Sequence, residues 1–344
     1  MSDPLRFGLD TFGDAAVDDR GVPVSHAQTI RDVVAQGVLA DQLGIDAFAV
    51  GEHHRPDFTV SAPDIVLAGL ATATQRVRLG SAVTVLSSDD PIRVYERFAT
   101  IDALSRGRAE PVLGRGSFIE SFGLYGLDLA DYEMLFEEKL EVFAALREEK
   151  PVTWQGTYRT PLEGVDVFPK TESGRMMAWV AVGGSPQSVI RAAHHRFALQ
   201  LAIIGGPADR FRPFVELYRR ALEEFGVEED LPVAIHSPGH VAATDELAAQ
   251  QLYPHFKANR DKIGAERGWG PMGRDEFAHE VAHGALYVGS PETVAAKIAA
   301  SVRRLGIQRF DLKYASGPMP HSQLMSSIEL YGTRVIPLVR EMLA

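Results

Sequence analysis

Eight times along its 344 residues the chain sets a short run of aliphatic and β-branched residues before a stretch whose apolar positions recur at helical spacing. The runs fall at residues 5–10, 45–51, 77–86, 108–113, 178–182, 197–204, 232–243 and 309–314. The clearest helix spans residues 129–146, with Tyr132, Leu135, Phe136, Leu140, Phe143 and Leu146 opposed to Glu137, Glu138, Lys139 and Glu141. Another opens on Ser25-His26-Ala27-Gln28, a hydroxyl N-cap with Gln three residues on. Eight strand–helix units in one chain of this length argue for a closed (β/α)8 TIM barrel. An open doubly wound sheet would carry a dinucleotide fingerprint after its first strand, and Thr11-Phe12-Gly13-Asp14 does not match one. Residues 1–344 therefore read as a single α/β barrel domain. It has two insertions: 150–177, after strand 4, and 254–285, before the last helix–strand unit.

Several function classes fall away on composition. The chain has no Cys, which removes thiol nucleophiles, iron–sulfur clusters and Cys-ligated zinc. Its 35 Lys and Arg against 46 Asp and Glu leave a formal charge of −11, with no basic cluster fit for a phosphate backbone, so no nucleic acid is expected. Met1–Phe7 has no basic region leading into an apolar core, and no apolar run approaches a bilayer span. A cytoplasmic protein without a membrane partner is the expectation.

In such a barrel the reactive groups sit at the C-terminal ends of the strands. There the chain offers Phe12, Glu52-His53-His54, Thr84, Gly114-Arg115-Gly116-Ser117, Gly183-Gly184-Ser185 and His236 through His240. Adjacent strand residues face opposite ways, so one of His53 and His54 points into the mouth. It is either a tunable acid–base group or a hydrogen-bonded structural His. His236 is a second imidazole source. Neighbouring histidines are badly spaced for a shared ion, and no H-E-x-x-H occurs, so no metal site is expected and a metal-dependent barrel hydrolase is a remote alternative.

Two segments share the pattern G-S-P-x-[ST]-V, at Gly184–Val189 and Gly289–Val294. Ser as N-cap and Pro at N1 make both good helix starts, and a helix start can also bind an anion. Glu292 in the first turn of the second copy would repel a phosphate, whereas the first copy has neutral Gln187 and then Arg191. A phosphate therefore belongs at Gly183-Gly184-Ser185 if at either. Arg115, between two glycines, offers a guanidinium for the same purpose or a plain surface turn.

The order and spacing of Glu52-His53-His54, residues 79–86, Pro91-Ile92-Arg93-Val94, residues 101–108, Gly114-Arg115-Gly116, Gly183-Gly184-Ser185 and residues 286–294 resembles the bacterial luciferase-like monooxygenases along nearly the whole chain. The resemblance implies a (β/α)8 barrel binding reduced FMN or, in one branch, the deazaflavin F420. It puts the catalytic imidazole at His53, beside the flavin C4a. A bulge behind the ring falls at Ser81, Ala82, Val83 and Thr84, with a cis peptide at Ala82–Val83. Phosphate contacts fall at Gly114, Arg115, Gly116, Gly183, Gly184 and Ser185. Phe12 and His236 fall in the substrate pocket, where Phe58, Phe118, Phe122 and Trp269 add apolar surface. Pro111 departs from a regular strand and bears on the direction of Arg115. The implied reaction uses O2 and a C4a-hydroperoxyflavin to oxidise a small apolar or carbonyl substrate. Reduced FMN comes from a separate flavin reductase, the protein is a homodimer, and segments 150–177 and 254–285 serve as lids. A flavin-binding protein without turnover and an F420-dependent oxidoreductase are the alternatives.

Overall fold

The computed structural model describes residues 4–116 and 118–344, so Ser117 of the Gly114–Ser117 turn lies outside the described residues. The barrel strands are β1 (Arg6–Thr11), β2 (Ala47–Val50), β3 (Arg78–Ser81) with its continuation β4 (Thr84–Val85), and β5 (Val112–Gly114). After the β6 (Val152–Trp154) and β7 (Leu162–Val165) hairpin come β8 (Trp179–Val182), β9 (Ala198–Ala202), β10 (Val233–Val241), β11 (Tyr287–Gly289) and β12 (Arg309–Lys313). Pairing runs β3-β2-β1-β12-β10-β9-β8-β5-β4, all parallel, and β11 adds to the end of β10. Because β3 and β4 belong to one interrupted strand, and Leu79 also bridges Ala109, the ring closes on eight strands at the eight expected places.

Successive residues face opposite sides of the barrel wall. Outward-facing Phe7, Leu9, Phe48, Val50, Leu199, Leu201, Phe310 and Leu312 form the main core against the helices. Inside, Val112, Trp179, Ala198 and Ala234 make a second, smaller apolar cluster. The rest of the bore is polar. Arg309 pairs with Glu110 and, at 2.7 Å, with Asp311, while Arg78 reaches Glu110 at 2.6 Å and Gln200 donates to Asp311 at 2.7 Å. Gly8 leaves the room this needs, since a Cβ there would stand 1.9 Å from an Asp311 carboxylate oxygen. Burial opposes its charge, but Arg309 and Arg78 hold Glu110 below the ordinary carboxylate range.

The helices are α1 (His26–Gln42), α2 (Pro63–Ala73), α3 (Pro91–Ser105), α4 (Glu120–Leu124), α5 (Tyr132–Leu146), α6 (Pro186–His194), α7 (Arg212–Glu224), α8 (Asp245–Arg267), α9 (Arg274–His283), α10 (Pro291–Leu305), α11 (His321–Leu330) and α12 (Ile336–Leu343). Ser25 caps α1 by accepting the Gln28 N–H at 3.2 Å, but the Gln28 amide turns to Asp32 at 2.8 Å, so only half of the expected box forms. Pro111 disturbs no ladder. Its carbonyl accepts the Trp179 N–H at 2.9 Å, and its nitrogen lies before the first β5–β8 pair, Val112 with Trp179.

The two insertions are built differently. Segment 150–177 lies along the flank of α5, where Glu138 accepts the N–H groups of Thr157 and Tyr158 and Glu141 accepts the Trp154 indole N–H at 3.1 Å. Those bonds hold it to the outer wall of the barrel, and Arg159 reaches Asp90 at the start of α3 at 3.1 Å. Segment 254–285 is mostly helical, because α8 runs through Pro254 to Gly268, which takes the left-handed conformation and stops it.

Candidate active site

The mouth is organised by the break between β3 and β4. The Ala82–Val83 peptide is cis. Ser81 stays in the ladder through its side chain: its hydroxyl donates to the Val112 carbonyl at 2.9 Å and accepts the Val112 N–H at 3.1 Å, and the Thr84 hydroxyl donates to it at 2.9 Å. Glu52 straps the bulge from β2, accepting the Val85 N–H at 2.9 Å on one oxygen and meeting His54 Nε2 at 3.0 Å on the other. Two glycines make the close approach possible. A Cβ on Gly51 would lie 2.8 Å from the Ala82 carbonyl oxygen, and one on Gly114 would lie 2.6 Å from a Val83 methyl. Ser81 and Thr84 are thus bound within the wall, leaving Ala82 and Val83 as the bulge itself.

His53 takes the inward position. Its ring centroid lies 4.7 Å from that of Phe12, 4.3 Å from Phe58 and 5.3 Å from Phe118, and its buried Nε2 has no hydrogen-bond partner among the described residues. Burial in this aromatic cage, reinforced by Lys313, His54 and Arg55, pushes the imidazole pKa down to about 3. The ring is therefore neutral throughout the physiological range. His236 sits deeper, its Nδ1 2.7 Å from Asp10 Oδ2 and its ring stacked 6.1 Å from Phe12. Lys313 lies 4.4 Å from the centre of the Phe12 ring. The Phe122 ring packs on Tyr132, 5.5 Å between centres.

Arg55, which the sequence reading passed over, ties the mouth shut on one side. Its guanidinium pairs with Glu120 and Glu266 and lies 4.6 Å over the Phe118 ring, and Lys262 of α8 pairs with Asp57. The partners stand 65 and 211 residues away, so no local pattern announces them.

The two G-S-P segments have different fates. At the first, Ser185 accepts the Ser188 N–H at 3.3 Å and caps α6, while a Cβ on Gly183 or Gly184 would meet nothing within 4 Å. Beside this open helix start, Arg115 and Arg191 converge on Glu133, a carboxylate 60% exposed, and Arg191 also meets Glu137 at 2.5 Å. Nε and Nη1 of Arg191 are buried and unpartnered. Arg115 is thus no independently fixed guanidinium; Glu133 and the Tyr132 ring hold it. At the second segment the Asp245 carboxylate fills the helix start, accepting the Ser290 N–H at 2.6 Å and the Thr293 hydroxyl at 2.9 Å.

A cleft of about 720 Å³ runs from Gly183 and Gly184, past Ile204 at the end of β9, to Trp269 beyond α8. That volume suits a cofactor-sized ligand. Phe12, His53 and His236 do not line it; it abuts their cluster through Arg267, which lies 5.5 Å over Phe118. The open α6 start, the two arginines and the unpartnered Arg191 nitrogens fit a phosphorylated group at one end of the cleft. Among the described residues no three His, Asp or Glu side chains are grouped as a metal would require, and no helix is long and apolar enough to cross a membrane.

Comparison with known proteins agrees with this geometry. The sequence model of the luciferase-like monooxygenases matches residues 11–309. Protein y4wF of Sinorhizobium fredii is 34% identical over 267 residues, 74% of this chain and 74% of that protein. A monooxygenase from Streptomyces bottropensis has the same fold, with a TM-score of 0.83 at 22% identity, covering 97% of this chain and 99% of the other. The oxygenating constituent of 3,6-diketocamphane monooxygenase from Pseudomonas putida, solved in complex with FMN, gives 0.78 at 18% identity over 97% and 99% of the two chains. On the family match and the extent of these likenesses, the chain belongs to the luciferase-like monooxygenases.

Proposed function

We propose that this protein binds FMN at the barrel mouth and uses it, in reduced form with O2, to oxidise a small apolar or carbonyl substrate. The observation that carries the reading is one juxtaposition. A neutral imidazole with an unpartnered nitrogen, a bulged cis peptide and an open, arginine-flanked helix start all lie around the C-terminal end of one barrel. Gly183, Gly184 and Ser185 would receive the phosphate on backbone N–H groups, with Arg115 and Arg191 turning from Glu133 toward it. Ala82 and Val83 would support the ring, with Gly114 and Gly116 keeping that wall low. Bound there in reduced form, FMN supplies the two electrons that activate O2.

His53 Nε2 is the group placed to hold or pass a proton at the reacting oxygen. The cage of Phe12, Phe58 and Phe118 keeps bulk water from that nitrogen. No dinucleotide fingerprint follows β1, which favours a separate flavin reductase as the electron source. Ile65 on α2 and Leu104 on α3 stand exposed, and a homodimer through these early helices would cover them. The test supplies purified protein with chemically reduced FMN, O2 and a panel of aldehydes and ketones. Oxidised product above the protein-free control supports the reading. Tight FMN binding without any product would favour a flavin carrier, and reduction only with F420 would move the assignment to that cofactor.

A further inference from the structure

The far end of the cleft has a composition that the flavin reading does not use. Ile204 and Trp269 are 62% and 47% exposed there, and Phe211, Phe214, Phe256 and Leu286 complete an apolar wall. Large apolar side chains exposed inside a concavity contribute little to folding and much to a ligand.

Five charged residues line this wall, and Arg267 among them lies over the Phe118 and Trp269 rings, 5.5 and 5.4 Å from their centres. Glu276 is taken by Arg260 at 2.9 Å, and Arg260 also donates to the Gly270 carbonyl. Glu280 accepts the N–H groups of Gly206 at 3.1 Å and Ala285 at 3.0 Å. Both carboxylates and that guanidinium are thus committed. Arg210 is not: among the described residues its guanidinium has no hydrogen-bond or ion-pair partner. It is nevertheless placed, lying across the turn at Gly206, where a Cβ would come within 2.9 Å of its Nη1. One unspent positive charge facing an apolar wall complements one ligand chemistry, an apolar or aromatic body carrying a single anionic group.

We infer that the substrate is an amphipathic carboxylate, its anionic group held by Arg210 and its body laid against Ile204 and Trp269. The inference deepens the proposed function and rests on the assignment of the Gly183–Ser185 end of the cleft to the cofactor phosphate. A planar guanidinium binds a carboxylate by two parallel hydrogen bonds, which a neutral amide of the same shape cannot match.

The probes are 4-phenylbutyrate and 4-phenylbutyramide, titrated by calorimetry into the protein with and without saturating FMN. The wild type is expected to bind the carboxylate about tenfold more tightly than the amide. Arg210→Gln should abolish that preference while leaving the amide and FMN affinities unchanged, and Trp269→Ala should weaken both probes alike. Equal affinity for the two probes, or a preference that survives Arg210→Gln, overturns the inference. So does a loss of FMN affinity in Arg210→Gln, because the guanidinium would then belong to the cofactor. Failure of the wild type to bind FMN sinks the functional reading instead, and the carboxylate preference is still read in the cofactor-free sample.

Discussion

The Asp245 carboxylate accepts the Ser290 N–H at 2.6 Å and thereby occupies the start of α10, while the matching start of α6 at Ser185 has no such internal anion among the described residues. The chain therefore contains its own control for the phosphate site. Hydrogen bonding from Ser290 holds the Asp245 carboxyl below the ordinary range, outweighing a smaller desolvation effect. A depressed carboxyl stabilises the fold above the unfolded-state pKa and loses that contribution as pH falls through its folded value. Asp245→Ala is expected to cost about 1 kcal/mol at pH 7, kept small by solvent screening, and progressively less as pH falls through the folded carboxyl's own pKa. Urea unfolding over a pH series checks the cost and its decline.

The same logic inverted gives the prediction for α6. Ser185→Glu puts a fixed anion where the flavin phosphate is proposed to sit, and FMN affinity should fall by more than about tenfold. Ser185→Ala loses only the cap and should change affinity far less. Quenching of flavin fluorescence measures both, and a small effect of the Glu variant would move the phosphate elsewhere.

His53 makes a pH prediction of the same sign in a higher window. An imidazole whose folded pKa is about 3 is protonated first in the unfolded chain, so stability rises with pH between about 3 and 6.5. The slope from this group is at most about 1.4 kcal/mol per pH unit. His53→Ala should flatten it, and should also raise the H2O2 released per reduced flavin consumed. An unchanged coupling ratio would remove His53 from the chemistry.

Glu266→Gln tests the ion cluster that ties α8 to the β2–α2 loop. Glu266 is about half exposed, so the cost in global stability should be small. The local effect should be larger: faster hydrogen exchange along 245–267, and more peroxide leakage as α8 moves away from Phe118.

In the bore, Arg309→Met leaves Glu110 with Arg78 alone and Asp311 without its cation, both carboxylates being 1% exposed. Breaking such a buried network is expected to cost about 3–5 kcal/mol, read as a lower denaturation midpoint with an unchanged slope.

The barrel was legible in the sequence because a strand covered by helices on one side needs apolar residues at every second position, and that pattern is local. His53 and the Gly183–Ser185 turn were legible for a related reason: they end such strands, and barrel geometry fixes which end is reactive. Arg55 was not, since its meaning comes from Glu120 and Glu266, which only the closed ring brings near. At Pro254 packing overrides a local rule. Proline ordinarily breaks a helix, yet α8 continues through it, with Ala248 and Leu252 buried on one side and Phe256 packed on Phe277 on the other. The charge of Glu292 already favoured the first copy of the G-S-P pattern, but only the fold shows Asp245, 45 residues upstream of Ser290, claiming the second.

The buried charges around Arg309 act as a stopper in the pipe. With the lower opening filled by locked side chains, traffic to His53 has only the upper entrance. A coenzyme whose ring must reach the bulge at Val83 would travel the same corridor as the molecule it oxidises. Under the proposed function the two would share that one doorway, and product would leave by the way the substrate came.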